Sequence, residues 1–325
     1  MQPLTIIALA LGLCLTLAFS QPGEEEHDAP LPIETVEQIS CVECHREIAL
    51  EWSHSKHARA WIDPVYQKSV KSKRRPGSCY GCHIPLPLHL GNLDRKPKAR
   101  TEEVEPFDHG ISCKTCHEGP DGTILGPFGA ATDAHVSTKS DLFESPGVDR
   151  LCSSCHRTNI GPVIGVAKDF DSTEQAEKGR SCVGCHMSVS YRKIAEYDSK
   201  EPLFERKGRS HRINGPSDPE FLERAFQFSI SHAKDRTTLS IANGAGHRVP
   251  ALVGRSFELT AVLFDAADKE IERQEIKFDH YSFLDVSQPY QLKFKRQGVA
   301  VLVTAQHFAR IGAKPVDFIN ERVTE

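Results

Sequence analysis

Five copies of one short motif carry the recognisable chemistry of this 325-residue chain. Each copy has two cysteines separated by two residues, with a histidine directly after the second cysteine. Thiols and imidazoles bind metals and react as nucleophiles, so such a motif could be a zinc site, a redox dithiol or a haem attachment site. The copies are CVECH from residue 41, CYGCH from 79, CKTCH from 113, CSSCH from 152 and CVGCH from 182.

The histidines decide between these three kinds of site. Histidine makes up 16 of 325 residues, so its presence after all five cysteine pairs is not a chance pattern. CxxCH is the attachment signature of c-type haem, because two thiols add to the vinyl groups of one porphyrin edge and the next residue lies under the iron. Structural zinc does not require this histidine, and no βαβ pattern of a thioredoxin-like protein surrounds the pairs. The sequence predicts five covalent haem c groups with their iron.

The motifs assign the residues that hold each haem. Ten of the eleven cysteines lie in the motifs, and Cys14 is the exception. The predicted proximal iron ligands are His45, His83, His117, His156 and His186. The predicted thioether residues are Cys41, Cys44, Cys79, Cys82, Cys113, Cys116, Cys152, Cys155, Cys182 and Cys185.

The ligand on the opposite side of each iron sets the haem potential and decides whether substrate can reach the metal. The chain has two methionines, Met1 and Met187. Met187 directly follows proximal His186, so it cannot reach the opposite face of that haem. Methionine is thus excluded for at least four haems, which leaves histidine, another side chain, water or an open position.

Several stretches between and around the motifs resemble one bacterial family. They are EWSHSKHARAW, GISCKTCHEGP, AHVSTKSDLFESPGVDRLCSSCH, GRSCVGCHM, SHRINGP and NGAGHRVPA, within about residues 40–255. These stretches are similar to the multihaem cytochrome c family that includes the tetrahaem electron carriers of ammonia oxidisers. Hydroxylamine oxidoreductase and pentahaem nitrite reductase are more distant relatives of that family.

The resemblance implies a set of distal ligands. His57 stands in a W-x-x-S-x-H-x-x-A phrase together with Trp52 and Ser55. His135, His211 and His247 stand in similar phrases, and the glycines around His247 permit close approach to a porphyrin. His109 is the leading candidate for the fifth haem, with His89 or an open haem as alternatives. The other histidines are expected to be ordinary residues: His27, His54, His232, His280 and His307.

The chain divides into four segments by composition. Residues 1–20 are an apolar run ending in Ala18-Phe19-Ser20, which predicts a cleaved signal peptide, with a retained anchor as the alternative. Residues 21–33 form an acidic linker. Residues 34–225 are expected to be a mostly α and irregular multihaem cytochrome c domain. Residues 226–325 alternate apolar and polar positions, which predicts a C-terminal antiparallel β module that supplies His247 as a distal ligand.

Together these features predict an extracytoplasmic pentahaem electron carrier, periplasmic or extracellular, with closely spaced bis-histidine haems. The expected partners are redox proteins, with a membrane quinol-linked donor and an extracellular acceptor as candidates. A net charge of −4 gives no reason to expect nucleic-acid binding. The first alternative is an oxidoreductase with one open haem that acts on a nitrogen or sulfur oxyanion, although no CxxCK motif is present. The second is a subunit of a homo-oligomer or conductive filament.

Overall fold

The computed structural model describes residues 40–131, 134–161, 165–196 and 205–325. The predicted signal peptide, the acidic linker and His27 lie outside these residues. None of the described helices has the length and apolar composition of a membrane span. The described α-helices are α1 Ser40–Cys44, α2 Arg46–Ser53, α3 Pro64–Lys71, α4 Gly77–His83, α5 Cys113–His117, α6 Gly147–His156, α7 Val166–Asp171, α8 Glu174–Glu177, α9 Cys182–His186 and α10 Pro219–Glu223.

Each CxxCH motif lies on a short helix. The motif histidine is the last residue of α4, α5, α6 and α9, and it directly follows α1. Residues three positions apart lie on one face of a helix, so each helix presents both of its cysteines in the same direction. Side chains cap some of these helices; the Ser181 hydroxyl, for example, accepts the Gly184 N–H of α9 at 3.1 Å. The helices therefore orient thiols and imidazole together.

Two small sheets lie among the motif helices. The first contains β1 Ile124–Gly126, β2 Ala130–Ala131 and β3 Val136–Lys139, in the order β1-β3-β2. The second is an antiparallel pair, β4 Val189–Lys193 and β5 Glu205–Arg209. The sequence predicts only a connecting segment from residue 191, because the polar composition of both strands gives no apolar alternation. Pairing between the two strands, rather than burial of one face, defines this hairpin.

The C-terminal strands form two antiparallel sheets packed face to face. Their orders are β10-β7-β6 and β12-β11-β8-β9. Residues of both sheets, including Phe226, Leu239, Phe257 and Val301, share one buried core, which makes the module a β-sandwich. The strands are β6 Phe226–Ala233, β7 Arg236–Asn243, β8 Ser256–Phe264, β9 Glu270–Phe278, β10 Tyr290–Lys293, β11 Ala300–Phe308 and β12 Val316–Thr324.

Local sequence accounts for most of this module. Strands β7 and β8 alternate buried and less buried residues, as their apolar alternation predicts. The segment DAADKE forms the turn between β8 and β9, where an Asp265 carboxylate oxygen accepts the N–H groups of Ala267 and Lys269. Strand β12 is not predicted, because it is an edge strand with mostly exposed polar residues.

Candidate haem centres

Four of the motif histidines each lie beside one of the expected distal histidines. The members of each pair come from distant parts of the chain, and their ring centres are 6.0–6.3 Å apart. Neither ring of any pair stacks closely on the other at this separation. The pairs are His45 with His135 at 6.3 Å, His57 with His156 at 6.0 Å, His117 with His211 at 6.2 Å, and His186 with His247 at 6.2 Å.

This separation matches two imidazoles on opposite sides of one metal ion. A nitrogen ligand lies about 2 Å from a first-row metal, and the centre of an imidazole lies about 1 Å behind its nitrogen, so two such ring centres are about 6 Å apart. Direct ring stacking would bring the centres closer, as the 3.7 Å between His83 and Tyr66 illustrates. Each of the four pairs therefore has room for one iron between its rings.

Backbone carbonyls orient four of the motif histidines. A carbonyl can only accept a hydrogen bond, so the Nδ1 atom that contacts it must donate, and the lone pair of the neutral ring is then on Nε2. Metal-ligating histidines commonly have such a partner, which fixes both tautomer and ring direction. The Nδ1 donors and carbonyl acceptors are His45 to Ile194 at 2.6 Å, His83 to Ala60 at 2.5 Å, His117 to Leu125 at 2.8 Å and His186 to Asn214 at 2.7 Å.

Burial keeps two of the expected distal histidines neutral. Desolvation lowers the pKa of His57 to about 3, with a further decrease from the neighbouring His156 and His186. Desolvation also lowers the pKa of His211 to about 4, and His117 adds to the decrease. A neutral imidazole keeps the lone pair that a metal requires. These surroundings therefore favour the form of each side chain that can ligate iron.

Thiols of different motifs lie near each other. Cys41 of the first motif is close enough to Cys113 of the third for each thiol to affect the pKa of the other. The second and fourth motifs meet in the same way, as do the fourth and fifth, and Cys116 of the third motif lies close enough to Cys152 of the fourth to affect its own pKa. The three pairs of neighbouring thiols are Cys41–Cys113, Cys82–Cys155 and Cys152–Cys182. The attachment points of all five motifs thus form one connected group.

His83 differs from the other motif histidines. Within the residues that the structure describes, no histidine ring contacts it, and the ring of Tyr66 stacks on it at 3.7 Å. The Tyr66 hydroxyl is buried and has no hydrogen-bond partner among the described residues. Burial raises the pKa of Tyr66, and the neighbouring thiols of Cys79 and Cys82 raise it further. The second motif thus has a proximal histidine but no described histidine opposite it.

The structure does not bring His109 to a motif histidine. His109 is buried, and its Nδ1 atom lies 3.4 Å from a carboxylate oxygen of Glu105. Glu105 also accepts the Ser112 hydroxyl at 2.8 Å and lies 3.5 Å from Arg100. His109 therefore belongs to a buried polar network rather than to a ring pair. The chain position of His109 beside the third motif did not reveal the carboxylate and guanidinium that surround it.

The other described histidines have ordinary contacts. Nδ1 of the exposed His54 donates to the Leu50 carbonyl at 2.8 Å, and Nε2 of His89 donates to the Cys116 carbonyl at 2.8 Å. His232 lies 3.0 Å from the Thr237 hydroxyl, and the ring of His280 contacts Tyr281. His307 lies inside the β-sandwich, stacked on Phe257. None of these five rings is paired with a motif histidine within the described part of the chain.

The buried His307 makes a testable prediction about acid stability. Its Nε2 atom has no hydrogen-bond partner in the described part of the chain, and desolvation, followed by the nearby Arg255 and Lys56, lowers its pKa to about 4. The unfolded chain binds this proton near pH 6.5, so the contribution of His307 to stability is complete above that pH and is lost as pH falls towards 4. We expect His307→Phe to remove up to about 1.4 kcal/mol per pH unit of this dependence between pH 6.5 and 5, measured by urea unfolding. Equal pH profiles for the two proteins would contradict this role.

The motif region has a smaller buried apolar cluster than the β-sandwich. The sandwich has a large buried apolar cluster, whereas the apolar cluster described in the motif region consists of Val42, Ala49, Trp52 and Ala58. Protein interiors are close-packed, so a region with so small a core requires another apolar component. Covalently attached porphyrins would supply it. The thiol pairs, the imidazole pairs and this small core together fit haem c.

Comparisons with known proteins agree with this chemistry. Residues 40–118 match the family model described as cytochrome c554 and c-prime. Cytochrome c-554 of Nitrosomonas europaea is 25% identical over 170 residues, which cover 46% of this chain and 68% of that protein. These similarities, together with the CxxCH motifs, support a multihaem c-type cytochrome. As a multihaem cytochrome c it carries haem c with iron and takes part in electron transport.

A solved structure shows that the fold likeness extends beyond the region of sequence similarity. The penta-haem cytochrome c552 from Thermochromatium tepidum superposes with a TM-score of 0.60. The alignment covers 88% of this cytochrome and 97% of that chain, at 14% identity. At this identity the match concerns the fold alone. It includes strands of the β-sandwich, because 88% of the chain exceeds the motif region.

Proposed function

We propose that this multihaem cytochrome c is an extracytoplasmic pentahaem electron carrier with four bis-histidine haems and one haem that lacks a distal histidine. The observation that carries the proposal is the set of four histidine pairs with ring centres 6.0–6.3 Å apart. When bound, the haem irons supply one-electron redox chemistry. The chain supplies the axial ligands, their tautomers and the distances between attachment points.

The pairs assign the distal ligands to particular motifs. His135 serves the first motif and His211 the third, while His57 serves the fourth and His247 the fifth. His83 of the second motif is left with Tyr66 at its side. His109 is not part of this ligand set, because its ring nitrogens face the carboxylates of Glu105 and Asp108.

The contacts between cysteines support electron transfer through the whole molecule. A thiol of each motif lies near a thiol of another motif. The neighbouring motifs are the first and third, the third and fourth, the fourth and second, and the fourth and fifth. Electron transfer between cofactors weakens steeply with distance, so attachment points near each other favour rapid exchange. Redox proteins that dock at different motifs would then be connected through this cytochrome.

A second function deserves testing because of His83. An iron held by His83 without a distal histidine would be accessible to a small ligand, which is the requirement for an enzyme that reduces or oxidises a nitrogen or sulfur oxyanion. Tyr66 stacks on the ring of His83, so it lies on the side of the proximal ligand and leaves the opposite side open. Steady turnover of nitrite, hydroxylamine or tetrathionate by the wild-type protein would favour the enzyme over the carrier.

The haem content and carbon monoxide stoichiometry test the proposal directly. We expect the mature protein to carry five covalent haems, which add roughly 3 kDa to the mass of the polypeptide. The reduced protein should bind one equivalent of carbon monoxide, because four irons have both axial positions occupied by histidine. Mass spectrometry of the denatured protein and a carbon monoxide titration give the two numbers.

Other values would contradict separate parts of the proposal. A mass with four or fewer haems, or stoichiometric zinc, would refute the pentahaem assignment. No binding of carbon monoxide would place a strong distal ligand opposite His83, and more than one equivalent would show that at least one histidine pair does not ligate. Detection of the cytochrome in the periplasmic or culture fraction, after removal of residues 1–20, would test its location.

A further inference from the structure

All four distal histidines lie outside the helices, and the loops of two of them are each bonded to a carboxylate from a distant helix. His211 follows β5, and His247 lies on the loop between β7 and β8. A loop ligand has to be held in position by its surroundings if it is to keep its ring directed at a metal. The contacts of these two loops show the same arrangement of groups.

Glu51 of α2 holds the loop of His211. One of its carboxylate oxygens accepts the backbone N–H of His211 at 2.8 Å and a guanidinium N–H of Arg192 at 2.8 Å. Its other oxygen lies 2.7 Å from Arg192. Arg192 also donates to the carbonyl of Arg209 at 3.0 Å, and the same carbonyl accepts Nδ1–H of His211 at 3.0 Å. The carboxylate thus fixes both the backbone of the ligand and the group that orients its ring.

Asp169 of α7 holds the loop of His247 in the same way. Its Oδ2 atom accepts the backbone N–H of Arg248 at 3.3 Å and the Nε–H of the same arginine at 2.6 Å. Its Oδ1 atom accepts a further guanidinium N–H at 3.1 Å. The carbonyl of Arg248 accepts Nδ1–H of His247 at 3.0 Å. Both charged side chains are largely buried, and Arg248 also lies 4.3 Å from the ring centre of Phe283.

In both arrangements, a helix that follows one motif contacts the distal histidine loop of another motif. Each carboxylate comes from a helix that follows one motif, Glu51 after the first and Asp169 after the fourth. Each reaches the distal ligand of a different motif, the third or the fifth. In both cases Nδ1–H of the histidine donates to a backbone carbonyl that the carboxylate–arginine pair holds in place. For His247 this carbonyl is that of Arg248 itself. For His211 it is the carbonyl of Arg209, which also accepts a hydrogen bond from Arg192. Charge-assisted contacts of this kind are strong and directional.

We propose that Glu51 and Asp169 are positioning residues that hold His211 and His247 in the direction required for iron ligation. The inference rests on the proposed function, since it assumes that these two histidines are distal ligands. It adds two carboxylate–arginine clamps, Glu51–Arg192 and Asp169–Arg248, to the residues that determine the ligation state. It also implies that the helix after one motif orients the distal histidine of the haem held by another motif.

The test uses the full-length holoprotein and counts open haems. We expect Glu51→Ala and Asp169→Ala each to release one distal histidine, so that carbon monoxide binding by the reduced protein rises from one equivalent to two. The low-spin signals in electron paramagnetic resonance should fall from four haems to three. Glu51→Gln and Asp169→Asn keep an oxygen that can accept the backbone N–H, so they should lie between wild type and the alanine variants.

A matched control separates positioning from a general loss of ion pairs. Glu258 forms an exposed pair with Lys277 at 2.7 Å in the β-sandwich, away from both distal loops. Glu258→Ala should leave the carbon monoxide stoichiometry and the spin state unchanged. If a clamp variant is folded and has the spectrum of wild type, the carboxylate has a merely structural role and the inference is wrong. If an alanine variant does not fold, the same comparison with Glu51→Gln or Asp169→Asn decides.

The wild-type measurement distinguishes the two possible failures. Fewer than four low-spin bis-histidine haems in the wild-type protein would refute the proposed function itself. Four such haems in wild type, together with unchanged haems in all clamp variants, would refute only the positioning role. A rise in carbon monoxide binding confined to the clamp variants would support it.

Discussion

Replacement of His247 by alanine should convert one of the five proposed haems of this cytochrome from low-spin to high-spin, while all five stay attached. Attachment depends on Cys182 and Cys185, which the substitution does not touch, whereas His247 is the ring opposite His186 at 6.2 Å. Loss of the histidine leaves an open iron position, which raises the potential of that haem. The reduced variant should bind two equivalents of carbon monoxide instead of one.

His232→Ala provides the matched control for this prediction. His232 also belongs to the β-sandwich, but its Nδ1 atom contacts the Thr237 hydroxyl and its ring is not paired with a motif histidine. This variant should keep the wild-type spectrum, potential and carbon monoxide stoichiometry. A low-spin spectrum for His247→Ala that equals that of wild type would show that another residue ligates the fifth haem.

Replacement of Arg100 by methionine should destabilise the fold by about 3–5 kcal/mol. Arg100 is buried, and its guanidinium donates to the carbonyls of Gly110 and Pro106, both at 2.7 Å, and to that of Glu105 at 3.2 Å. Methionine fills similar volume but leaves these carbonyls and the buried Glu105 carboxylate without their partner. Denaturant unfolding near pH 7 measures the loss of stability. Arg236→Met, which removes an exposed arginine, should change stability by no more than about 0.5 kcal/mol.

The pH dependence of this loss identifies Glu105 as its cause. Burial would raise the pKa of Glu105, but hydrogen bonds from His109 and Ser112 and the charge of Arg100 together lower it. A carboxyl with a lowered native pKa adds stability above its unfolded pKa, about 4.3, and this stability is lost as pH falls through the native pKa. Without Arg100 the buried carboxyl will take up a proton more readily, so the difference between variant and wild type should shrink in acid. A loss of stability below about 1 kcal/mol at pH 7 would contradict this account.

The fold could be predicted from the sequence where one local pattern dominates. The alternation of strands such as β8 predicts the sandwich, and the six-residue turn DAADKE joins β8 to β9 as expected. The hairpin of β4 and β5 and the edge strand β12 were missed, because their polar residues pair through the backbone without burying an apolar face. Backbone pairing leaves little trace in side-chain composition.

The attachment residues and proximal histidines can be predicted from the sequence alone, since the spacing within CxxCH is set by covalent geometry within one helical turn. The distal ligands are a tertiary property, because each of the four paired rings comes from a segment far from its motif. The sequence resemblance to the multihaem cytochromes c indicated His57, His135, His211 and His247 as distal ligands. The structure places all four beside motif histidines. The same reasoning placed His109 opposite an iron, whereas the fold surrounds it with Glu105 and its partners. A histidine can pair with a motif histidine or join a polar network, depending on the side chains that pack against it. Those side chains come from distant segments, so only the tertiary structure determines the outcome.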